Sequence, residues 1–218
     1  MRRSNRRALI LASVPWFLQD LGTYGIGIFT PTILASAVGH SRPHAQSVSD
    51  IVANEITAAK GAAFLDILLI VGILAAVVLA DRVGRIRLQV LGFIGCAVGL
   101  FVAALSGQVE GATKTALIFA GFMLFNFSTN IGPNAQTYLL AGEVFATSVR
   151  GKGAGLAASI GKVGAVITAF LFPVLLADIG STPLLFILVG TSLLGALVTW
   201  AYRIETAGVS LEEVGKPG

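Results

Sequence analysis

Six long apolar stretches, at about 8–34, 62–81, 88–106, 115–141, 153–177 and 183–203, leave this chain almost no room to fold in water. Each is long enough for a helix to cross a hydrocarbon core of ~30 Å, which takes roughly 20 residues. Lipid offers no partner to an unpaired backbone N–H or C=O, so such stretches become helices. Only 12% of the residues are charged and 55% are hydrophobic, whereas soluble domains carry about 25% charged residues. The pattern predicts an all-α membrane protein, with residues 1–218 forming one domain of six transmembrane helices.

The basic residues fix an expected orientation. With the N-terminus in the cytoplasm, that side holds eleven: Arg2, Arg3, Arg6, Arg7, Arg82, Arg85, Arg87, Arg150, Lys152, Arg203 and Lys216. The opposite side holds three, Arg42, Lys60 and Lys114. That bias predicts cytoplasmic termini and a multi-pass protein of the plasma (inner) membrane. The net charge of +4 does not point to nucleic acid, because the basic residues gather at helix ends. The polar stretch 36–60 reads as a loop, with His40 and His44 solvated and no third ligand nearby for a metal. The single cysteine, Cys96, lies in an apolar run and reads as packing. No P-loop, metal cluster or nucleophile–base set appears, so no enzyme activity, cofactor or metal is expected.

Small residues let membrane helices approach closely. The glycines of the fifth run and the Gly95–Gly99 pair therefore read as packing positions. Pro15, Pro31, Pro133 and Pro173 are each able to kink or break a helix.

Polar groups inside the runs carry the functional signal. A carboxylate at mid-bilayer depth costs roughly 2.5–3.5 kcal/mol on insertion scales, yet Asp20 sits about 18 Å along its helix at 1.5 Å per residue. Trp16, Asp20 and Tyr24 are four residues apart and share one helical face. Lys162 lies at a comparable depth, roughly 15 Å into the fifth run. Asn126, Asn130 and Asn134 repeat every four residues in the fourth run, followed by Gln136 and Thr137. Such amides are expected to face a cavity or each other. Asp66 lies near the outer end of the second run and reads as an entrance-level or packing acid. An acid beside a lysine has two usable protonation states, and an arriving anion favours the protonated one. Proton and anion then raise each other's affinity by the same factor.

Two loops and three helices carry a family resemblance. Asp81-Arg82-Val83-Gly84-Arg85-Ile86-Arg87 resembles the D-R-x-G-R-[RK] signature of the major facilitator superfamily. Glu143 through Arg150-Gly151 resembles its E-x-F-P-T-x-x-R-G loop, with Ala146 in place of proline. Ser210-Leu211-Glu212-Glu213-Val214 resembles the S-L-E-E-[IV] ending of sugar-porter-like members. Trp16-Phe17 through Asp20 to Tyr24-Gly25 is similar to the W-F-x-x-D-x-x-[FY]-Y-G pattern of phosphate:proton symporters, with Thr23 before the tyrosine. Asn126-Phe127 through Pro133-Asn134 resembles their N-F-x-P-N segment, here lengthened, and Ser159 through Ala165 their S-x-G-K-x-G-A segment.

These matches are to the second, C-terminal half of a twelve-helix transporter. The resemblance implies that Trp16, Asp20 and Tyr24 contact phosphate, together with Asn134 (or Asn126 in the other alignment), and that Lys162 supports the site. Asn130 joins the candidates by its place in the stripe. It also assigns Asp81, Arg82, Gly84, Arg85, Glu143 and Arg150 to conformational loop motifs. The expected function is proton-coupled uptake of inorganic phosphate, with symport of a sugar or organic acid as the alternative. A non-transporting remnant is the third reading. Half a transporter would show a polar face to lipid, so a second six-helix half or a homodimer is expected.

Overall fold

The computed structural model describes residues 3–37 and 48–210. They form α1 (Arg3–Ala37), α2 (Val48–Val83), α3 (Arg85–Leu105), a 3-10 turn (Ser106–Gln108), α4 (Gly111–Ile131), α5 (Pro133–Glu143), α6 (Arg150–Ile179) and α7 (Ser181–Ala201). No strand occurs among the described residues. Four units among them are long and apolar enough to cross a membrane: Arg85–Gln108, Gly111–Glu143, Arg150–Ile179 and Ser181–Ala201. The 35-residue α1 packs on α6 and α7, and the 36-residue α2 on α4, which completes a bundle of six rods.

Two expectations about the rods change. The stretch 36–60 is not all loop, since α2 begins at Val48. Its polar residues argue against hydrocarbon but not against helix, and Ala, Glu and Lys are strong helix formers. At 1.5 Å per residue α2 is about 54 Å long, well beyond the ~30 Å of a hydrocarbon core. His40 and His44, the side chain of Asp66 and the Leu211–Val214 tail lie outside the described residues.

Of the four prolines, Pro133 marks the break. The fourth rod divides into α4 and α5 at Gly132 (φ −109°, ψ −105°), and Pro133 brings no N–H to bridge the gap. By contrast, α1 runs on through Pro15 and Pro31, and α6 through Pro173. The Ile131 carbonyl at the break accepts from Gln136 Nε2 at 3.4 Å.

Glycine sets how closely the rods approach. Gly92, Gly95 and Gly99 form one face of α3 against the fourth rod, where added Cβ atoms would meet Gly132 and Pro133, Ser128, and Gly121 with Phe125 respectively. At the other end of this contact, a Cβ on Gly121 would lie 2.5 Å from the Gly99 carbonyl. The Gly95–Gly99 pair is thus part of a helix contact, as such pairs are in membranes.

The core has two apolar clusters. One joins Ile26, Leu100, Phe122, Phe125, Phe172 and Leu188. The other joins Leu11, Trp16, Ile86, Leu140, Phe145 and Ala157. On α1, on the fourth rod and on α6, the polar residues of interest fall between these clusters in sequence, so they form a layer within the bundle. Cys96 is fully enclosed in the first cluster, and its Sγ lies 4.0 Å from the Phe125 carbonyl oxygen. It is expected to resist maleimide labelling in the folded protein and to react once denatured. Fast labelling before denaturation would contradict this packing.

Candidate anion and proton site

Asp20 and Lys162 meet across the α1–α6 contact. Lys162 Nζ lies 3.1 Å from Asp20 Oδ2 and donates to the Tyr24 hydroxyl at 3.2 Å. The ammonium also stands 5.0 Å from the Tyr24 ring centroid. Close approach of the two helices makes this possible, since Cβ atoms at Gly161 and Gly164 would strike Trp16 and Phe17. The two charges are unequal in access. The Asp20 side chain is 3% exposed and that of Lys162 is 48% exposed. A solute would therefore meet the ammonium and Tyr24 first, with the carboxylate behind them.

Trp16 occupies a different position on the same face. Its ring is 4.5 Å from that of Tyr138 at 60°, and it is buried against Gly161. Its indole Nε1 is buried and has no hydrogen-bond partner among the described residues. In this arrangement Trp16 forms a wall of the site, with its donor closed off from solute.

The asparagines face one another, although the stripe is split between two helices. Asn134 Nδ2 on α5 donates to Asn130 Oδ1 on α4 at 2.8 Å, and Asn130 Nδ2 donates to the Asn126 carbonyl at 2.8 Å. Gln19 and Thr23 extend the chain into α1, a link that sequence reasoning missed. Gln19 Nε2 donates to Thr23 Oγ1 at 2.7 Å and to Asn134 Oδ1 at 3.4 Å, and the Thr23 and Thr129 hydroxyls are 3.4 Å apart. The signal was present, because Gln19 and Thr23 are four apart beside Asp20. Gln19 Oε1 is buried without a partner among the described residues.

The loop motifs gather at the arginine-rich end. Arg85 lies 3.1 Å from Glu143 through Nε and 3.2 Å through Nη2, a forked pairing, and 2.5 Å from Asp81 through Nη1. Thr206 donates its hydroxyl to Glu143. Glu205, which no sequence motif singled out, accepts from the backbone N–H of Arg85 at 3.0 Å and of Ile86 at 3.2 Å. It thereby caps the first turn of α3, where a negative charge is favoured. Gly84 (φ 98°) makes room, since a Cβ there would lie 2.6 Å from Glu205 Oε2. Arg150 donates to the Phe145 carbonyl and the Thr147 hydroxyl within its own loop, while Arg82 is exposed. Arg7 donates to the carbonyls of Tyr202 and Arg203, so the start of α1 and the end of α7 share this side.

The forked pair predicts a stability effect. Glu143→Ala is expected to cost about 1–3 kcal/mol by leaving the largely buried Arg85 guanidinium short of acceptors. A lowered thermal midpoint in detergent would report it. An unchanged midpoint would mean the pair contributes nothing to stability.

A helical bundle with four units long and apolar enough to cross a membrane, and with a carboxylate, an ammonium and amides in a layer between two apolar clusters, is that of an integral membrane protein. The proton:xylose symporter XylE bound to 6-bromo-6-deoxy-D-glucose matches 95% of this chain and 41% of its own, with TM-score 0.70 and 21% identity. The inward open conformation of the xylose transporter XylE from E. coli matches the same shares with TM-score 0.66 and 19% identity. At such identities the likeness concerns the fold. The chain belongs to the family described as "Sugar (and other) transporter", whose profile matches residues 1–216. "Probable inorganic phosphate transporter 1-9" from Oryza sativa subsp. japonica is 34% identical over 97% of this chain and 38% of its own length. "Inorganic phosphate transporter PT2" from Toxoplasma gondii is 31% identical over 92% and 33%. "Glycerophosphoinositol transporter 1" from Saccharomyces cerevisiae is 29% identical over 86% and 34%. The chain thus spans well under half the length of these relatives.

Proposed function

We propose that this chain is the C-terminal half of a proton-coupled symporter for inorganic phosphate, with both termini in the cytoplasm. The carrying observation is the Lys162 ammonium held 3.1 Å from the buried Asp20 and 3.2 Å from the Tyr24 hydroxyl. Phosphate reaching this place competes with the carboxylate for the ammonium. Protonation of Asp20 releases Lys162 to the anion and makes the acid a hydrogen-bond donor toward phosphate oxygen. Proton and phosphate then bind together and leave together, which is the thermodynamic requirement for symport. The Tyr24 hydroxyl and Asn134 amide supply further donors. Relatives named as phosphate transporters support the substrate.

Lys162 is half exposed at mid-depth, so this face needs a cover other than lipid. A second six-helix half, or a second copy of this chain, provides it, with the solute between the two. Labelled phosphate uptake in cells supplying the first half, with and without a proton gradient, tests the reading. Uptake indifferent to the gradient would refute the coupling.

The Gln19–Asn134–Asn130 network favours a second reading, in which amides bind hydroxyl groups of an organic phosphate or sugar. Gln19→Leu separates the two. It is expected to leave the KM for inorganic phosphate within about threefold, because hydrogen bonds between membrane helices average only about 0.6 kcal/mol. Under the second reading it would selectively impair uptake of the hydroxylated solute.

A further inference from the structure

A cavity of about 530 Å³ lies where the α2–α3 turn, the start of α3 and the end of α7 meet, away from Asp20 and Lys162. Arg82, Arg87 and Arg203 line it together with Trp200, Asp81 and Glu205. Both acids are committed elsewhere. Asp81 pairs with Arg85, and Glu205 accepts the backbone N–H groups of Arg85 and Ile86. None of the three arginines takes part in a salt bridge among the described residues. The Arg203 guanidinium stands 4.6 Å from the Trp200 ring centroid and donates to the Trp200 carbonyl at 3.1 Å. Among the described residues the cavity therefore holds three arginines that form no ion pair, beside two acids already engaged by Arg85 and the start of α3.

What lies beside the cavity indicates the ligand. Leu91, Ile94 and Val98 on α3 are exposed, as are Leu193 and Leu197 on α7. The two helices stand side by side, joined by the Gln89–Thr199 hydrogen bond and by the Phe101–Phe186 ring contact at 6.0 Å. Leu193, Leu197 and Trp200 follow one another at helical spacing, so an apolar strip runs down α7 to the arginines. Trp200, 54% exposed, stands at the boundary between strip and cavity, the level where tryptophan gathers in membrane proteins. A free anion in water would use the arginines but not the strip. A molecule with an anionic head and long apolar chains would use both.

We propose that this cavity binds the headgroup of an anionic phospholipid in the adjoining leaflet, with its acyl chains along the α3–α7 strip. The phosphate and its neighbouring oxygens accept from Arg87 and Arg203, and Arg82 adds charge at the rim. The site lies directly against the Arg85–Asp81 and Glu205 contacts, so an occupied headgroup braces the α2–α3 turn.

Trp200 reports the binding. The chain has two tryptophans, and Trp16 is only 3% exposed. The purified chain in mixed micelles is titrated with brominated phosphatidylglycerol or brominated phosphatidylcholine while tryptophan fluorescence is followed. Phosphatidylglycerol is expected to quench half-maximally at a mole fraction at least about tenfold lower, since each basic residue near the surface adds attraction to anionic lipid. Arg87→Gln with Arg203→Gln should bring the two lipids within about twofold, and the corresponding lysine variants should largely restore the preference. Trp200→Phe should remove the selective signal. Helical circular dichroism matching the parent shows that a variant is folded. Equal quenching by both lipids overturns the proposal, as does a preference that survives the double glutamine variant. Displacement of brominated phosphatidylglycerol by excess inorganic phosphate, beyond a chloride control of equal ionic strength, also overturns it and assigns the cavity to a soluble anion.

Discussion

Asp20→Asn is expected to abolish proton-driven phosphate accumulation, with initial uptake falling by about 100-fold or more in cells that supply the first half. The amide has nearly the carboxyl's shape but has no proton to exchange and no charge to set against Lys162. The distance of 3.1 Å makes that loss direct. Each 1.36 kcal/mol in a barrier is tenfold in rate, so a 100-fold fall corresponds to about 2.7 kcal/mol. The loss has two sources, coupling and folding, and a second variant separates them. Asp20→Asn combined with Lys162→Gln removes the unpaired ammonium. The double variant is expected to recover the amount of folded protein without recovering dependence on the proton gradient. If Asp20→Asn alone still concentrates phosphate and still stops when a protonophore is added, the carboxylate is not the coupling group.

Gly92→Leu is expected to prevent folding. A Cβ at Gly92 would lie 2.5 Å from the Gly132 Cα, 2.5 Å from Pro133 Cδ and 2.8 Å from the Ser128 carbonyl oxygen. Two of these atoms are backbone and the third belongs to a rigid ring, so no side chain can swing aside. Overpacking of this kind typically costs about 1–3 kcal/mol for added methylenes. Here the helices must separate at the break that sets Asn134 against Asn130. Gly92→Ala should therefore already lower the thermal midpoint and the monodisperse fraction on size exclusion. Gly27→Ala is the control, because nothing lies within 4 Å of its Cβ position. Replacing glycine within a helix there should be neutral or stabilising by up to about 1 kcal/mol. Equal behaviour of the two alanine variants would show that the α3 contact is looser than described.

Particular residues show how far the sequence could be read. The rods were legible because hydrocarbon imposes length and apolarity on each segment separately, with no need to know its neighbours. Asp20, Lys162 and the asparagines stood out because a polar group in an apolar run carries a visible cost. The resemblance supplied the same residues and the family. Local sequence does not distinguish Pro133, where the helix breaks, from Pro15, Pro31 or Pro173, where it runs on. The helix of residues 48–60 is not legible locally, because polar residues suit a solvated helix as well as a loop. Glu205 was missed because its role depends on partners about 120 positions away in the chain.

Segment by segment, the amino-acid order established six apolar rods, their glycine-lined contacts, the uneven placement of positive charge and the acids and amides inside. Those are local consequences of solvent, and each can be read from a window of about 20 residues. The bundle alone decided that Asp20 lies behind an accessible Lys162, that Trp16 turns its N–H inward, that Gln19 ties α1 to α5, and that three arginines free of ion pairs among the described residues line one cavity. Each depends on the rotation and distance of one helix against another. Packing fixes those quantities through contacts between residues far apart in the chain.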